Sequence, residues 1–194
     1  MSFHAKLKEA TWSQHEATEQ LLFPDRPWQE LSLSDYQQFL LTQYVFHSHM
    51  EHAIDNSLSV RLKGRLNWDL RHKLPSIQSD LAELASAIPI IPNPTQQIIS
   101  EAEAIGYLYV TEGSTLGGRM ISKALKENEQ IATHSSFRFL NVYGEDTGRY
   151  WKEFLRVLSE EVVADVEEAV IAAAKRAFGL FTQSVCFVRD KALA

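Results

Sequence analysis

Apolar side chains in the first part of the chain recur at the spacing of amphipathic helices. Residues 3–22 carry apolar or small side chains every three or four positions among strong helix formers, which predicts a first helix. Residues 23–27 end it, because their prolines remove backbone donors and favour extended geometry in the residues before them. A longer second helix is predicted over residues 36–57, with Ser34 or Asp35 as its N-cap.

Two shorter helices are predicted to follow, at residues 66–73 and 76–87. Residues 88–94 form the clearest loop in the sequence, because their three prolines cannot continue a helix. We therefore expect the direction of the chain to change there.

The second half opens with a helical segment interrupted by glycines, residues 95–128. Within it, residues 105–111 could form a buried strand, yet no other segment offers a clear pairing partner, and a lone strand leaves its backbone unpaired. We therefore predict a kinked helix. A polar loop at 132–147 and two final helices at 148–158 and 162–191 complete an all-α pattern.

Composition narrows the classes of protein that fit this pattern. The chain has 194 residues, 45% of them hydrophobic, enough for one core in a single domain covering residues 1–194. Its net charge is −6, and no run of Lys or Arg could follow a phosphate backbone, so we expect no nucleic-acid partner. No apolar stretch could span a membrane and the N-terminus lacks an apolar signal core, which predicts a cytoplasmic protein.

The single cysteine, Cys186, rules out an internal disulfide and fits a reducing compartment. Its neighbours in sequence are mostly apolar, and no histidine lies close to it in sequence. We therefore predict a buried and chemically inert thiol.

Three glycines lie close together at Gly113, Gly117 and Gly118, and each costs a helix interior about 1 kcal/mol relative to alanine. One explanation is close packing of two helices through small residues. The other is a close approach of the helix backbone to a large flat ligand. A phosphate-binding loop is excluded, because Arg119 and Met120 occupy the positions of the required lysine and hydroxyl residue.

His15 lies midway along the first predicted helix, with Lys8 almost two turns earlier on nearly the same face. A neutral imidazole is a good axial ligand for haem iron, and a lysine at that distance could bind a carboxylate at the porphyrin edge. Glu19, one turn further on, could orient the imidazole, although this pair also occurs in ordinary helices.

Four segments resemble the haem oxygenase family, and they occur in the family's order along nearly the whole chain. The segment L7-K8-E9-A10-T11-x-x-x-H15 resembles the proximal helix, and Y-L-Y-V-T-E-G-S-T-L-G-G at 107–118 is similar to the distal helix of bacterial members. The segment W-K-E-F-L-R at 151–156 resembles the propionate-binding region, and A-K-R-A-F at 174–178 the aromatic end of the haem pocket.

The resemblance implies a single-domain multi-helical bundle that holds haem between the first helix and the kinked, glycine-rich distal helix. It implies that His15 is the axial iron ligand and that Gly113, Ser114 and Gly117 form the catalytic distal side. The other haem contacts that it implies are Lys8, Gly118, Lys152, Arg156 and Phe178, of which the three cationic side chains would bind the haem propionates.

The reaction implied by the resemblance is the cleavage of haem by O₂ and reducing equivalents to biliverdin, carbon monoxide and free iron. Haem would be both substrate and cofactor. The partners implied are haem and an electron donor, either a reductase, a ferredoxin or a flavodoxin, and we expect a monomer.

Ser114 departs from many family members, which carry an aspartate there to hold a proton-delivering water. Glu112 is not an obvious replacement, because it points about 200° away around the helix axis. Ser114 therefore leaves open a haem-binding or storage protein that performs no cleavage. A second alternative is a non-haem di-iron oxidase, which needs inward Glu and Glu-x-x-His ligands on several helices.

A dense histidine cluster on the second predicted helix, His47, His49 and His52 with Glu51, invites a metal-site hypothesis. Only His49 and His52 have good same-face spacing. We therefore expect this cluster to have a structural role.

Overall fold

The computed structural model describes residues 2–91 and 99–192, and within these ranges the chain forms helices and loops without a β-strand. The all-α prediction is confirmed. The described helices are α1 (Phe3–Leu22), α2 (Leu33–Ser57), α3 (Val60–Leu66), α4 (Leu74–Glu83), α5 (Glu101–Gly113), α6 (Thr115–Lys126), α7 (Glu129–Ala132), α8 (Thr147–Glu161) and α9 (Glu167–Ala192).

Helix α2 begins earlier than predicted, and its cap is neither Ser34 nor Asp35. Ser32 is the N-cap, since its hydroxyl accepts a hydrogen bond from the Asp35 N–H at 3.1 Å. The Asp35 carboxylate accepts one from the Ser32 N–H at 2.9 Å, which completes a capping box. Arg26 donates to both oxygens of the same carboxylate, at 2.7 and 2.8 Å.

These contacts lower the pKa of Asp35 from its ordinary value of 3.8 to about 2, with the hydrogen bond from Arg26 as the largest cause. A carboxylate whose pKa is lower in the folded chain stabilises that chain when ionised. Its contribution is complete above pH 3.8 and is lost as the pH falls through about 2. We expect Asp35→Asn to be less stable than the parent near neutrality and equally stable at the acid end, as measured by urea unfolding across this range. A stability gap that stays constant with pH would contradict this prediction.

The predicted helix at 66–73 is wrong, because helix α3 ends where that helix was expected to begin. The Ser59 hydroxyl caps α3 by accepting a hydrogen bond from the Leu62 N–H at 3.3 Å. Asn67 follows α3 with φ 50° and ψ 52°, the left-handed conformation that ends many helices. After Asn67, the predicted segment contains only a 3-10 turn, Trp68–Leu70. The second short helix, predicted at residues 76–87, corresponds to α4, which ends earlier, at Glu83.

The kinked helix predicted in the second half is confirmed, and the strand alternative is wrong. Ser100 and Glu103 form a capping box at the start of α5. Helix α5 then ends at Gly113 and α6 begins at Thr115, with Ser114 as the single residue between them. The predicted start at residue 95 and the end of the proline loop, 92–94, lie outside the described residues.

The core forms where α9 packs against α1, α2 and α5. Gly106 permits a close approach of α5 to α9, because a Cβ atom there would lie only 2.8 Å from the Cβ of Ala173 on α9. Cys186 is exposed on α9, so the prediction of a buried thiol is wrong. Val185 and Val188 are buried in the core. Cys186 lies between them in sequence, but it points to a different face of the helix.

Helix α9 has 26 residues, yet it carries charged side chains along its length. Within residues 2–91 and 99–192, no helix combines the length and the apolar character that a membrane span requires.

Candidate functional site

His15 lies on α1 with about half of its side chain, 49%, exposed. Its Nδ1 atom is 3.8 Å from the carboxylate of Glu19, one turn further along the helix. The Trp12 indole lies nearly parallel to the imidazole, at 10° and with 5.7 Å between ring centroids. Phe178 on α9 makes an edge-to-face contact with the imidazole, with 6.2 Å between ring centroids and 76° between ring planes. Aromatic rings therefore flank an imidazole that remains accessible for axial bonding.

Lys8 and His4 lie on the same face of α1 as His15. Through His4, this face contacts α5, the first part of the predicted distal helix. His4 makes edge contacts with Tyr109 on α5, at 6.2 Å, and with Trp151 on α8, at 5.8 Å. Burial lowers the pKa of His4, and the positive charge of Lys8 lowers it further. Sequence reasoning missed His4, although its spacing of eleven residues from His15 corresponds to about three helical turns.

The distal glycines serve two different purposes. Gly118 is buried, and a Cβ atom there would lie 2.5 Å from the carbonyl oxygen of Leu140, so its backbone packs closely against that segment. Gly117 is exposed, and among the described residues no heavy atom from outside its own stretch of helix lies within 4 Å of the position that a Cβ atom would take. At Gly113 the nearest atom is Cη2 of Trp151, at 3.7 Å. Close packing against the turn that contains Leu140 therefore explains Gly118, whereas no such packing by a described residue explains Gly117.

Ser114 is exposed at the break between α5 and α6, and its hydroxyl donates a hydrogen bond to the carbonyl of Thr111 at 3.0 Å. Glu112 is buried, with 1% of its surface exposed. The two side chains therefore occupy opposite environments, as their predicted separation around the helix implies. A lone pair of the Ser114 hydroxyl stays available to orient a water molecule.

A buried charge cluster that the sequence did not reveal anchors the distal helix one residue before Gly113. Arg71 and Lys73, both buried, donate to the two carboxylate oxygens of Glu112. Tyr143 donates to the same carboxylate at 2.8 Å and accepts from Lys73 at 2.8 Å. Burial lowers the pKa of Lys73, an effect that the nearby Glu112 opposes, and burial raises the pKa of Tyr143. The cluster fixes the end of α5 to the segment between α3 and α4.

The histidine cluster of α2, for which we expect a surface or partly buried structural role, adjoins this buried network. His47 is completely buried, and its Nδ1 atom lies 3.5 Å from the Glu51 carboxylate. Glu51 accepts hydrogen bonds from the N–H groups of Lys73, at 2.6 Å, and Leu74, at 3.2 Å. In the described part of the chain, no three His, Cys, Asp or Glu side chains could hold a metal ion together. The di-iron alternative therefore finds no ligand set there.

The predicted propionate-binding residues of α8 are exposed. Lys152 follows Trp151, the residue that contacts both His4 and Gly113, and Arg156 lies one turn further along the helix. Arg156 is 3.8 Å from Glu160 with 62% of its side chain exposed, so both cations can reorient toward a ligand.

The fold of this chain is similar to solved structures of other all-helical proteins. The fold matches crystal structures of the NO- and CO-bound heme oxygenase from Neisseria meningitidis, with a TM-score of 0.82 and 23% identity over 97% of this chain and 92% of that one. It matches heme oxygenase-1 from the cyanobacterium Synechocystis sp. PCC6803, in complex with heme, with a TM-score of 0.70 and 14% identity. That match covers 98% of this chain and 94% of the other.

Sequence comparison identifies the family. The chain is 27% identical over 180 residues to heme oxygenase PigA of Pseudomonas aeruginosa, covering 91% of this chain and 87% of PigA. It is 32% identical over 116 residues to a heme oxygenase of Xanthomonas campestris pv. campestris, covering 59% of this chain and 67% of the relative. A heme oxygenase family model matches residues 1–186. The chain belongs to the haem oxygenase family and is a haem-degrading oxidoreductase, which confirms the resemblance.

Proposed function

We propose that this protein binds haem between α1 and the α5–α6 distal helix and cleaves it with O₂ and electrons to biliverdin, carbon monoxide and iron. The observation that carries this proposal is the accessible His15, flanked by aromatic rings, on a face of α1 whose His4 contacts the distal helix at Tyr109. A neutral imidazole suits an axial iron bond, with Glu19 close enough to orient it.

The side chains around His15 fit a large, flat, apolar molecule with acidic edges. Phe178 supplies apolar surface beside the imidazole, and the uncovered backbone of Gly117 lets a ring approach without meeting a Cβ atom. Lys8, Lys152 and Arg156 are the cations that we assign to the two propionates.

When bound, haem supplies the iron that activates O₂ and the ring that is cleaved. The residues of this chain hold and orient it. Gly113 and Gly117 would let the backbone of the distal helix come close to the ring, whereas Gly118 acts through its packing on Leu140. The exposed Ser114 hydroxyl orients the water that delivers protons, a task that needs hydrogen bonding and no charge on the serine.

We also propose that the protein is a cytoplasmic monomer with a single domain. It would receive its electrons from a reductase, a ferredoxin or a flavodoxin. An external donor is supported by the size of the chain, because we assign no redox group other than haem to its 194 residues.

Product analysis distinguishes an oxygenase from a haem-storage protein. We expect the haem-bound protein to release carbon monoxide and a bilin when it receives O₂ and a competent reductant, and to keep its haem intact when O₂ is withheld. Carbon monoxide is measured in the headspace and the bilin by its absorption spectrum. Intact haem after repeated aerobic reduction would establish storage instead.

Replacing Gly117 with alanine separates the haem-contact role from ordinary helix stability. Within residues 2–91 and 99–192, no atom from another part of the chain lies within 4 Å of the position that its Cβ would take, so alanine should stabilise the haem-free protein by up to about 1 kcal/mol. In the haem complex the added methyl group should meet the ring, costing about 1–3 kcal/mol, tenfold or more in affinity. The matched control is Gly64→Ala on α3, which has equal space around it and should stabilise the protein without changing haem affinity. If both variants bind haem with equal affinity, Gly117 does not contact haem.

A further inference from the structure

Trp12 is a large aromatic residue that the core does not explain. Its surface is 48% exposed, although tryptophan side chains are highly buried on average. It lies on α1, four residues after Lys8 and three before His15, so these three side chains are neighbours on the helix surface. An exposed tryptophan between two predicted haem contacts indicates a role at the site.

The Trp12 indole contacts both of these neighbours. The indole and the His15 imidazole are nearly parallel, at 10° with 5.7 Å between ring centroids. The Lys8 ammonium nitrogen lies 5.7 Å from the indole centroid, within the range of a cation–π interaction. The indole therefore restricts the rotation of the imidazole and keeps the flexible lysine close to one end of the site.

We propose that Trp12 is a positioning residue that holds the axial ligand and the propionate-binding cation in place before haem arrives. The inference rests on the proposed haem site. Ordering His15 and Lys8 in advance reduces the entropy lost on binding, which increases affinity without any new contact to the ligand. Stacking on the imidazole also fixes its plane, and so selects one orientation of the axial bond.

The test measures the rate at which haem leaves the protein for an excess of apomyoglobin, together with the electron paramagnetic resonance spectrum of the ferric complex. In Trp12→Leu we expect haem to leave about tenfold faster, equivalent to about 1.4 kcal/mol. We also expect the spectrum to broaden into several axial orientations. Trp12→Phe keeps an aromatic ring and should release haem at an intermediate rate with a single spectrum. Ser13→Ala, a neighbouring exposed position, is the matched control and should behave like the parent.

A double-mutant cycle with Lys8→Met tests the cation–π contact. If the indole positions Lys8, Trp12→Leu should accelerate haem loss less in the Lys8→Met background than in the parent. Strictly additive effects would overturn the role of Trp12 in holding Lys8. Unchanged or slower haem release in Trp12→Leu would overturn the whole inference, since the indole would then be neutral or would occupy part of the haem site. If the parent does not bind haem through His15, the proposed site itself fails, which is a separate result.

Discussion

Glu112→Gln is expected to lower the free energy of unfolding by about 3–5 kcal/mol, because it removes the buried carboxylate that both Arg71 and Lys73 contact. In the part of the chain that the structure describes, Lys73 then has no ion-pair partner, and Arg71 keeps only the more distant carboxylate of Glu153, at 3.5 Å. Arg71 is 0% exposed and Lys73 is 1% exposed, so water cannot replace the lost negative charge. The oxygen of the glutamine amide can still accept the hydrogen bond from Tyr143, but its NH₂ group then faces the donating guanidinium of Arg71, which adds to the cost of the lost charge.

Urea unfolding of the haem-free protein measures this effect. The matched control is Asp146→Asn, which removes a carboxylate from an exposed pair with Arg149 at 3.1 Å and should leave the unfolding midpoint unchanged. Adding Lys73→Met to Glu112→Gln should cost less than the sum of the two single changes, because the second change removes a cation that the first left unpaired. A midpoint for Glu112→Gln equal to that of the parent would show that the buried cluster does not stabilise the fold.

His15→Ala is expected to abolish the axial nitrogen signature of bound haem and to weaken haem binding by at least about tenfold, or about 1.4 kcal/mol. The apolar contact of Phe178 and the cations Lys8, Lys152 and Arg156 remain in this variant, so haem should still bind, but without its protein-derived axial bond. The Soret band and the axial ligation of the ferric and ferrous complexes report this change.

Free imidazole should restore the axial spectrum of His15→Ala, because a small molecule can fill the space that the side chain leaves. The control is His52→Ala on α2, an exposed histidine outside the proposed site, which should bind haem like the parent. An unchanged Soret band and unchanged axial ligation in His15→Ala would exclude His15 as the iron ligand.

The elements that the sequence predicted best are those with strong local signals. Helix α1 has the predicted bounds, because its apolar spacing is regular and the proline segment ends it. The kink at Ser114 follows from the cluster of glycines around it. Local signals for α3 were also present, namely Ser59 as a cap and Asn67 as a left-handed end, but the short apolar pattern did not reveal the helix between them.

The buried charge cluster could not be predicted, because its members are far apart in the chain. Arg71 and Glu112 are separated by 41 residues, and Tyr143 lies 31 residues beyond Glu112. No periodicity relates residues at such separations, so only the folded chain shows that these charges meet. The same limit applies to Cys186, whose apolar neighbours suggested burial although its own position on α9 faces outward.

The distal glycines show why composition alone could not decide between two explanations. Each explanation was physically sound, and the structure assigns close packing to Gly118 and an uncovered backbone to Gly117. The difference depends on whether another segment covers the glycine, which is a property of tertiary structure. Leu140 covers Gly118, and within 4 Å nothing covers Gly117.

The geometry of the haem complex tests the proposed site most directly, and a crystal structure of the ferric complex would measure it. We predict that the iron lies at bonding distance from Nε2 of His15. We also predict that the ring plane passes in van der Waals contact with the backbone of Gly113 and Gly117. Iron bound to another side chain, or a ring that lies outside the space between α1 and the distal helix, would contradict the proposed site.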